Sequence, residues 1–279
     1  MAMPIHQDTT NGVASWQTVL AQCITHLGEE RFPDVLAEAL RHVVHYDVIM
    51  VFGYLPGHRP IAPYTNLAPA SAKLIVDDYL AGPFLMDPFY KAACDGRSEG
   101  PLRLCAEAPD HFYKSAYYTA HYVHTGIRDE LGTLVRLDGD VAVILSLTRA
   151  SAENAFSGRD LVRFRHVDPV VRALMRQHWR GVSAHFRNES ERDPDGLDQA
   201  FLRFGGSVLS YREAEIISHI LSGHSSESIA LKLGITTGTV KIHRRNAYAR
   251  LGVSSQAQLF HAFLRWLHRD RPVLAVPGV

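Results

Sequence analysis

Along the first half of the chain the spacing of apolar positions changes repeatedly, and each change marks an element. Trp16–Leu27 has the amphipathic spacing of a helix. Phe32-Pro33 opens a second helix through Val43, with proline in the first turn, where a missing N–H does no harm. Tyr46–Tyr54 (YDVIMVFGY) is β-branched and aromatic, which predicts a central strand ending at Pro56-Gly57. Residues 60–66 form a second candidate strand, and Ala70–Leu80 returns to helical spacing. Residues 83–103 show no clear period, and helical signals resume between Asp110 and His124. Arg128–Arg136 and Val141–Thr148 read as antiparallel strands joined by the turn residues Asp138-Gly139-Asp140. Ser157 caps a long helix to about Trp179, apolar at Leu161, Phe164, Val167, Leu174 and Met175, which Pro169 is expected to bend.

The last quarter has a different pattern. Ser210 and Glu213 form an S-x-x-E capping box, so a helix begins at Tyr211 with Ala214, Ile217, Ile220 and Leu221 on one face. After a break at Gly223-His224, either Ser225 or Ser226 caps a short helix carrying Ile229, Ala230 and Leu233, and Gly234 ends it. Thr236 caps a third helix, apolar at Val240, Ala247 and Leu251 and basic or polar at Lys241, Arg244, Arg245 and Tyr248. Gly252 closes that helix, and Ser254-Ser255 cap a fourth with Ala257, Leu259, Phe260, Phe263 and Trp266. Two short helices joined by a tight glycine-containing turn, the second basic on its outward face, is the helix-turn-helix pattern.

Charge supports the same division. The chain has 29 Lys/Arg and 29 Asp/Glu. Residues 201–279 hold ten of the basic and four of the acidic side chains, a net +6, which leaves about −6 on residues 1–200. A basic tail on an acidic body is expected of a DNA reader joined to a second unit. Between them, His185–Asp198 (HFRNESERDPDGLD) is polar and carries Pro194 and Gly196, the composition of a linker. The expected organisation is α+β overall. An N-terminal α/β/α sensor-like domain with an antiparallel sheet occupies 1–184, and the linker 185–200. The all-α four-helix helix-turn-helix domain spans 201–270, with a tail at 271–279.

The C-terminal residues carry a specific resemblance. Leu209-Ser210-x-Arg212-Glu213-x-Glu215, Gly223, Ile229-Ala230, Leu233-Gly234-Ile235, Thr239-Val240-Lys241, His243 and Leu251-Gly252-Val253 occur in order. This segment closely resembles the LuxR/GerE-type helix-turn-helix family of bacterial transcription regulators. The resemblance implies that Lys241, Ile242 and Arg245 face base edges and that Thr237, Thr239 and Arg244 suit phosphate contacts. One position departs: the family usually has Glu just before Ile229-Ala230, where this chain has Ser228, with Glu227 one place earlier.

The body's mixture of helices and antiparallel strands is that of a sensor domain of the PAS or GAF kind. It also resembles the autoinducer-binding domain of quorum-sensing receptors. Tyr79 followed by Asp87-Pro88, then Gly126-Ile127, two strands and Phe156-Ser157-x-x-Asp160-Leu161 keep that family's order. The resemblance implies that Asp87 accepts an amide N–H of a small effector, with Tyr79, Phe84, Tyr90 and Tyr117 as candidate pocket aromatics. The family's usual Trp positions fall near Lys73-Leu74 and Leu102, and no Trp lies between Trp16 and Trp179. That points away from a standard acyl-homoserine lactone and towards another small molecule. Asp87 has a second reading, as a turn or N-cap residue before Pro88, and the aromatics have one as ordinary core.

Other chemistry is thinly represented. Cys23, Cys94 and Cys105 are scattered without C-x-x-C spacing and fit a reducing cytosol. Among sixteen histidines, His42/His45 and His121/His124 have helix-like spacing, but neither pair comes with the carboxylates or thiols of a metal site. No metal or cofactor is expected. No enzyme motif of the nucleophile-elbow, Walker or zinc type is present, and no catalytic residue is assigned. A phosphorylated receiver body is disfavoured because the first strong strand ends at Gly53-Tyr54 without an acidic pair. Without a leader or bilayer-spanning run, the expectation is a cytoplasmic regulator with no membrane partner. It would bind double-stranded DNA as a homodimer, a dimer suggested by Leu259, Phe263 and Trp266 on the fourth helix. A body that serves as a protein-interaction module without any ligand is the alternative.

Overall fold

The computed structural model describes residues 8–138, 140–150, 155–188, 200–206 and 208–270. Five strands, β1 (Val48–Tyr54), β2 (Ile61–Thr65), β3 (Gly100–Arg103), β4 (Asp129–Arg136) and β5 (Ala142–Arg149), form one sheet of order β2-β1-β5-β4-β3. Every neighbouring pair is antiparallel, with Met50 opposite Ser146 and Gly132 opposite Ser146 from the other side. The central strands are buried at nearly every position because both faces of the sheet are covered.

The period-two alternation assigns each residue to a layer. Ile49, Val51, Leu131, Val135, Val143, Leu145 and Leu147 face one layer of helices. That layer comprises α1 (Asp8–Thr25) and α2 (Phe32–Arg41) with the long helix Gly158–His178, which supplies Phe164, Val171 and Met175. Met50, Phe52, Tyr54, Leu134 and Ile144 face the opposite layer. There α3 (Pro88–Cys94) lies so close that a Cβ added at Gly132 would sit 3.0 Å from a ring carbon of Phe89 and 2.6 Å from the Leu145 carbonyl oxygen. This gives the expected α/β/α body with an antiparallel sheet.

Several local expectations are corrected. Residues 83–103 are not irregular: they contain α3 and the edge strand β3. Residues 110–124 are not one helix but a 3-10 turn, Phe112–Lys114, followed by a π-helical segment, Tyr118–Val123. The helical stretch after Pro69 likewise passes through a π segment, Lys73–Asp77. The long helix from Gly158, here α4, runs through Pro169 to His178 as one element. His185 to Asn188 lies within a helix, Val182–Asn188. Residues 189–199 of the expected linker, Gly139 of the turn and the tail 271–279 lie outside the described residues, and Ala200 opens a short helix, Ala200–Arg203. Leu102, at one of the usual Trp positions, is fully buried on β3, whereas Leu74 is exposed.

The C-terminal unit consists of α5 (Tyr211–Leu221), α6 (Ser226–Leu233), α7 (Thr237–Leu251) and α8 (Gln256–Asp270). Its apolar core, with Ile216, Ile217, Ile229, Val240, Ala247 and Phe263, is continuous with the apolar layer on the Met50 face of the sheet.

Candidate nucleic-acid interface and sensor pocket

The helix-turn-helix unit is built by local capping. Ser210 and Glu213 make the reciprocal capping box of α5, with the Ser210 N–H donating to Glu213 at 2.8 Å. Arg250, in the last turn of α7, donates to the same Glu213 carboxylate at 2.9 Å and ties the two helices. Ser225, rather than Ser226, caps α6 by accepting from the Ser228 N–H. Ser228 meets the His224 ring at 3.2 Å, which occupies the position where the sequence departs from the family pattern. Gly234 takes φ +64° and Gly252 φ +66°, left-handed conformations that end α6 and α7 without a Cβ clash.

Thr236 caps α7, and its hydroxyl is 2.9 Å from that of Thr239. Val240 and Ala247 point into the core. Lys241, Ile242, Arg244 and Arg245 are exposed, Ile242 at 51%, while Thr237, Thr239 and Tyr248 are half-buried. An exposed isoleucine among cations is poor packing but a good surface for meeting base edges and thymine methyls. α8 behaves differently from the expectation. Leu259 and Phe263 are fully buried within this chain, and Phe263 stacks on Phe201 at 4.8 Å and meets Phe204 edge-on. Trp266 packs against Phe204 and Phe263. These residues serve the unit's own core, so they no longer motivate a dimer.

The C-terminal unit rests on the body. The His111 N–H donates to the Gly223 carbonyl at 3.0 Å, and Asp110 accepts from the Ser225 N–H at 3.0 Å, so the body supplies an acidic partner to the start of α6. Desolvation is the largest single influence on the Asp110 carboxyl and raises it. The Ser225 hydrogen bonding and the nearby His111 and His224 together outweigh it and hold the carboxyl below its usual range. Gly223 is at φ +91°, and a Cβ there would lie 3.0 Å from the Phe112 Cα. At the other end His268 lies 3.2 Å from the Ala81 carbonyl, and Leu267 packs onto Gly82. Between the units, a groove of about 880 Å³ is lined by His111 and Lys114 on one side and by Lys241, Arg244, Arg245 and Tyr248 on the other.

The second site lies in the layer between the sheet and this docked unit. Asp87 is 6% exposed. As its turn reading expects, it caps α3 by accepting from the Phe89 N–H at 2.8 Å, and the same buried carboxylate accepts from the Tyr79 hydroxyl at 2.6 Å. The Tyr54 hydroxyl lies 2.9 Å from that of Tyr79. Tyr79 and Asp87 line a cavity of about 20 Å³ together with Met50, Phe52, Ile75, His121, Tyr122, Ile127 and Glu130. Phe84 and Tyr90 pack edge-on to each other at 5.0 Å behind this wall, and Tyr117 stacks on His121. The five expected pocket residues therefore cluster, but only Tyr79 and Asp87 line the cavity itself.

Glu130 was not expected. It is 7% exposed, accepts from the Tyr122 hydroxyl at 2.7 Å and accepts from Ser146. Burial pushes its carboxyl well above the ordinary range, and the nearby Asp87 pushes it further. Burial also raises Asp87, against the hydrogen bonds from Tyr79, Phe89 and Tyr90. Desolvation lowers His121 to about 4, leaving its imidazole neutral near pH 7. The Tyr117 hydroxyl is buried without a hydrogen-bond partner. A signal for Glu130 did exist in the sequence, a carboxylate opening a strand with no solvent-facing side, but it becomes legible only once both faces of β4 are known to be covered. Among the described residues, no group of three or more His, Cys, Asp or Glu is placed to hold a metal, and no helix is long and apolar enough to cross a membrane.

Residues 207–263 match the family of bacterial regulatory proteins described as the luxR family. Over 190 residues the chain is 33% identical to a putative HTH-type transcriptional regulator in the exeN 3' region of Aeromonas salmonicida, covering 65% of this chain and 94% of that protein. The chain belongs to the luxR family. This LuxR-family regulator is also 41% identical over 59 residues to the transcriptional regulatory protein TdiR of Thauera aromatica, covering 21% of this chain and 26% of that protein. Its body is similar to the ligand-binding domain of VqsR from Pseudomonas aeruginosa at 25% identity and a TM-score of 0.52, covering 59% of this chain and 96% of that structure. The LuxR-type regulator thus joins a helix-turn-helix unit to an N-terminal domain similar in fold to that of VqsR.

Proposed function

We propose that this LuxR-type transcription regulator is controlled by a small molecule held in the body. It reads double-stranded DNA with Lys241, Ile242 and Arg245 at base edges and Thr237, Thr239 and Arg244 at phosphates. The observation that carries the ligand reading is the buried Asp87, hydrogen-bonded to Tyr79 at the wall of a cavity whose apolar surround continues into the helix-turn-helix core. A molecule there has a physical route to the DNA-binding unit: Tyr122 packs on Phe112, and Phe112 abuts Gly223. The regulator acts in the cytoplasm as a homodimer, since two copies matching two half-sites give operator specificity that one small module cannot. The small molecule shifts the populations of docked and DNA-competent arrangements by binding one of them better.

The test is mass spectrometry of the full chain, native and then denatured, beside a promoter reporter carrying Asp87→Ala. A released small molecule together with a reporter response lost in Asp87→Ala supports the reading. A full response in Asp87→Ala, with the native mass equal to the bare chain, removes it. The cavity's size favours a second reading: about 20 Å³ is room for one water, as expected of a body that works as a protein-interaction module. The bare-chain outcome would move weight there.

A further inference from the structure

We propose that the cavity between Asp87 and Glu130 binds a small organic cation, a short primary alkylammonium, with its charged head between the two carboxylates and its stem against Met50, Ile75 and Ile127. The proposal rests on the small-molecule reading above and gives that molecule a charge.

Four observations carry it. Two carboxylates line one small cavity, and among the described residues no Lys or Arg lines it with them. Their side-chain partners are the neutral hydroxyls of Tyr79, Tyr122 and Ser146. Burying a carboxylate without a cation is expensive unless it takes up a proton, so this pair is pushed to hold protons that a bound cation would replace. The Tyr117 hydroxyl is buried and unpartnered, near enough to Asp87, Glu130 and Tyr54 for their charges to act on it. An ammonium head has three donors, and the carboxylate oxygens of Asp87 and Glu130, each with two lone pairs, offer enough acceptors at the cavity wall.

Size and shape set the rest. The cavity at the carboxylates holds about 20 Å³, enough for a group the size of water. A neighbouring cavity of about 40 Å³ shares Met50, Ile75 and Ile127 and is lined further out by Asp47, Thr125 and Thr148, which gives a stem somewhere to go. Both wall segments, Lys73–Asp77 with Ile75 and Tyr118–Val123 with His121 and Tyr122, are π-helical, a geometry often found at functional sites.

Binding is linked to pH. The groups facing Glu130 are Asp87 from the start of α3, Tyr122 and His121 from the π segment, Ser146 from β5, and Tyr54, Tyr79 and Tyr117 around them. On its own strand, Asp129 turns to the Phe156 N–H. His121 is neutral and the tyrosines keep their protons, so Glu130 and Asp87 are the groups that titrate. The ammonium displaces a proton from this pair to solvent. Affinity therefore rises with pH through neutrality and falls only when the amine itself deprotonates.

The experiment is isothermal titration and thermal melting of the full chain with ethylamine through hexylamine, each beside the alcohol of equal length. At least one amine is expected to bind, raise Tm and release protons when titrated in buffers of different ionisation enthalpy, while the alcohols do none of these. Glu130→Gln, with melting showing that it is folded, is expected to lose about tenfold or more in amine affinity and to lose the proton release. Absence of amine binding, equal binding of alcohols, or unchanged affinity in Glu130→Gln overturns the proposal. A neutral compound recovered from the native protein, with an Asp87-dependent reporter response, would overturn the charge assignment while leaving the small-molecule reading intact.

Discussion

Glu130 and Asp87 also shape the stability of the protein as pH changes. Both carboxyls are raised in the folded chain, so they add stability that is fully present at low pH and is lost as pH climbs through their folded values. His121 and His224 act on the opposite limb. Desolvation lowers each to about 4, so their contribution is lost as pH falls from the ordinary imidazole value towards that point. Stability should therefore decline on both sides of a weakly acidic optimum. In melts without amine between about pH 6 and about pH 9, wild-type Tm is expected to fall while Glu130→Gln stays flatter, crossing above wild type at the alkaline end. A parallel fall in both proteins would show that Glu130 is not the titrating group. At this scale Asp87 was legible, because an aromatic and an Asp-Pro pair at that spacing are visible in one dimension. Glu130 was not, because its meaning comes from Asp87, forty-three positions away in the chain but charged in the same cavity.

The element that matters most is α7, and it is held by its ends. Thr236 and Gly252 set where it starts and stops, and Val240 and Ala247 set which side faces inward, so the exposed row from Lys241 to Arg245 follows. Lys241→Ala or Arg245→Ala should cost about 1–3 kcal/mol on a cognate operator if the side chain reads a base. Titration against cognate and scrambled duplexes separates the cases, since equal loss on both marks a phosphate contact. The caps were legible because capping is chemistry within three or four residues. β3 was missed for the complementary reason. Gly100-Pro101-Leu102-Arg103 is short and carries a proline, which a sheet tolerates on an edge strand, and pairing with residues 131–134 is what makes it a strand. The π segments likewise show the same residue pattern as an α-helix, and only their surroundings expose the difference.

At the level of the whole molecule, the C-terminal unit is docked through few polar contacts and a shared apolar layer. Asp110 makes one of these contacts, accepting the Ser225 N–H at the point where α6 has unsatisfied donors. Asp110→Ala is expected to speed amide hydrogen exchange at Ser225 and to lower stability by about 1 kcal/mol, with the isolated capping of α5 unchanged. Unaltered exchange at Ser225 would mean that the docking does not depend on this bond. Phe112 lies between this interface and the Asp87 cavity, 5.5 Å from the Tyr122 ring on one side and touching Gly223 on the other.

By itself the sequence determined what depends on neighbours along the chain. That comprises the capped helices of the DNA-binding unit, the two-sided character of α7, the central strands and their turn, and the basic tail on an acidic body. Tertiary structure decided what depends on residues far apart in sequence. It spent Leu259 and Phe263 on the core, added β3 to the sheet edge, docked α6 against Asp110, and brought Glu130 to Asp87. The physical reason is that capping and amphipathic period are short-range and leave a signature in spacing. Burial, and the electrostatic cost of two carboxylates within one cavity, exist only after the chain has closed around them.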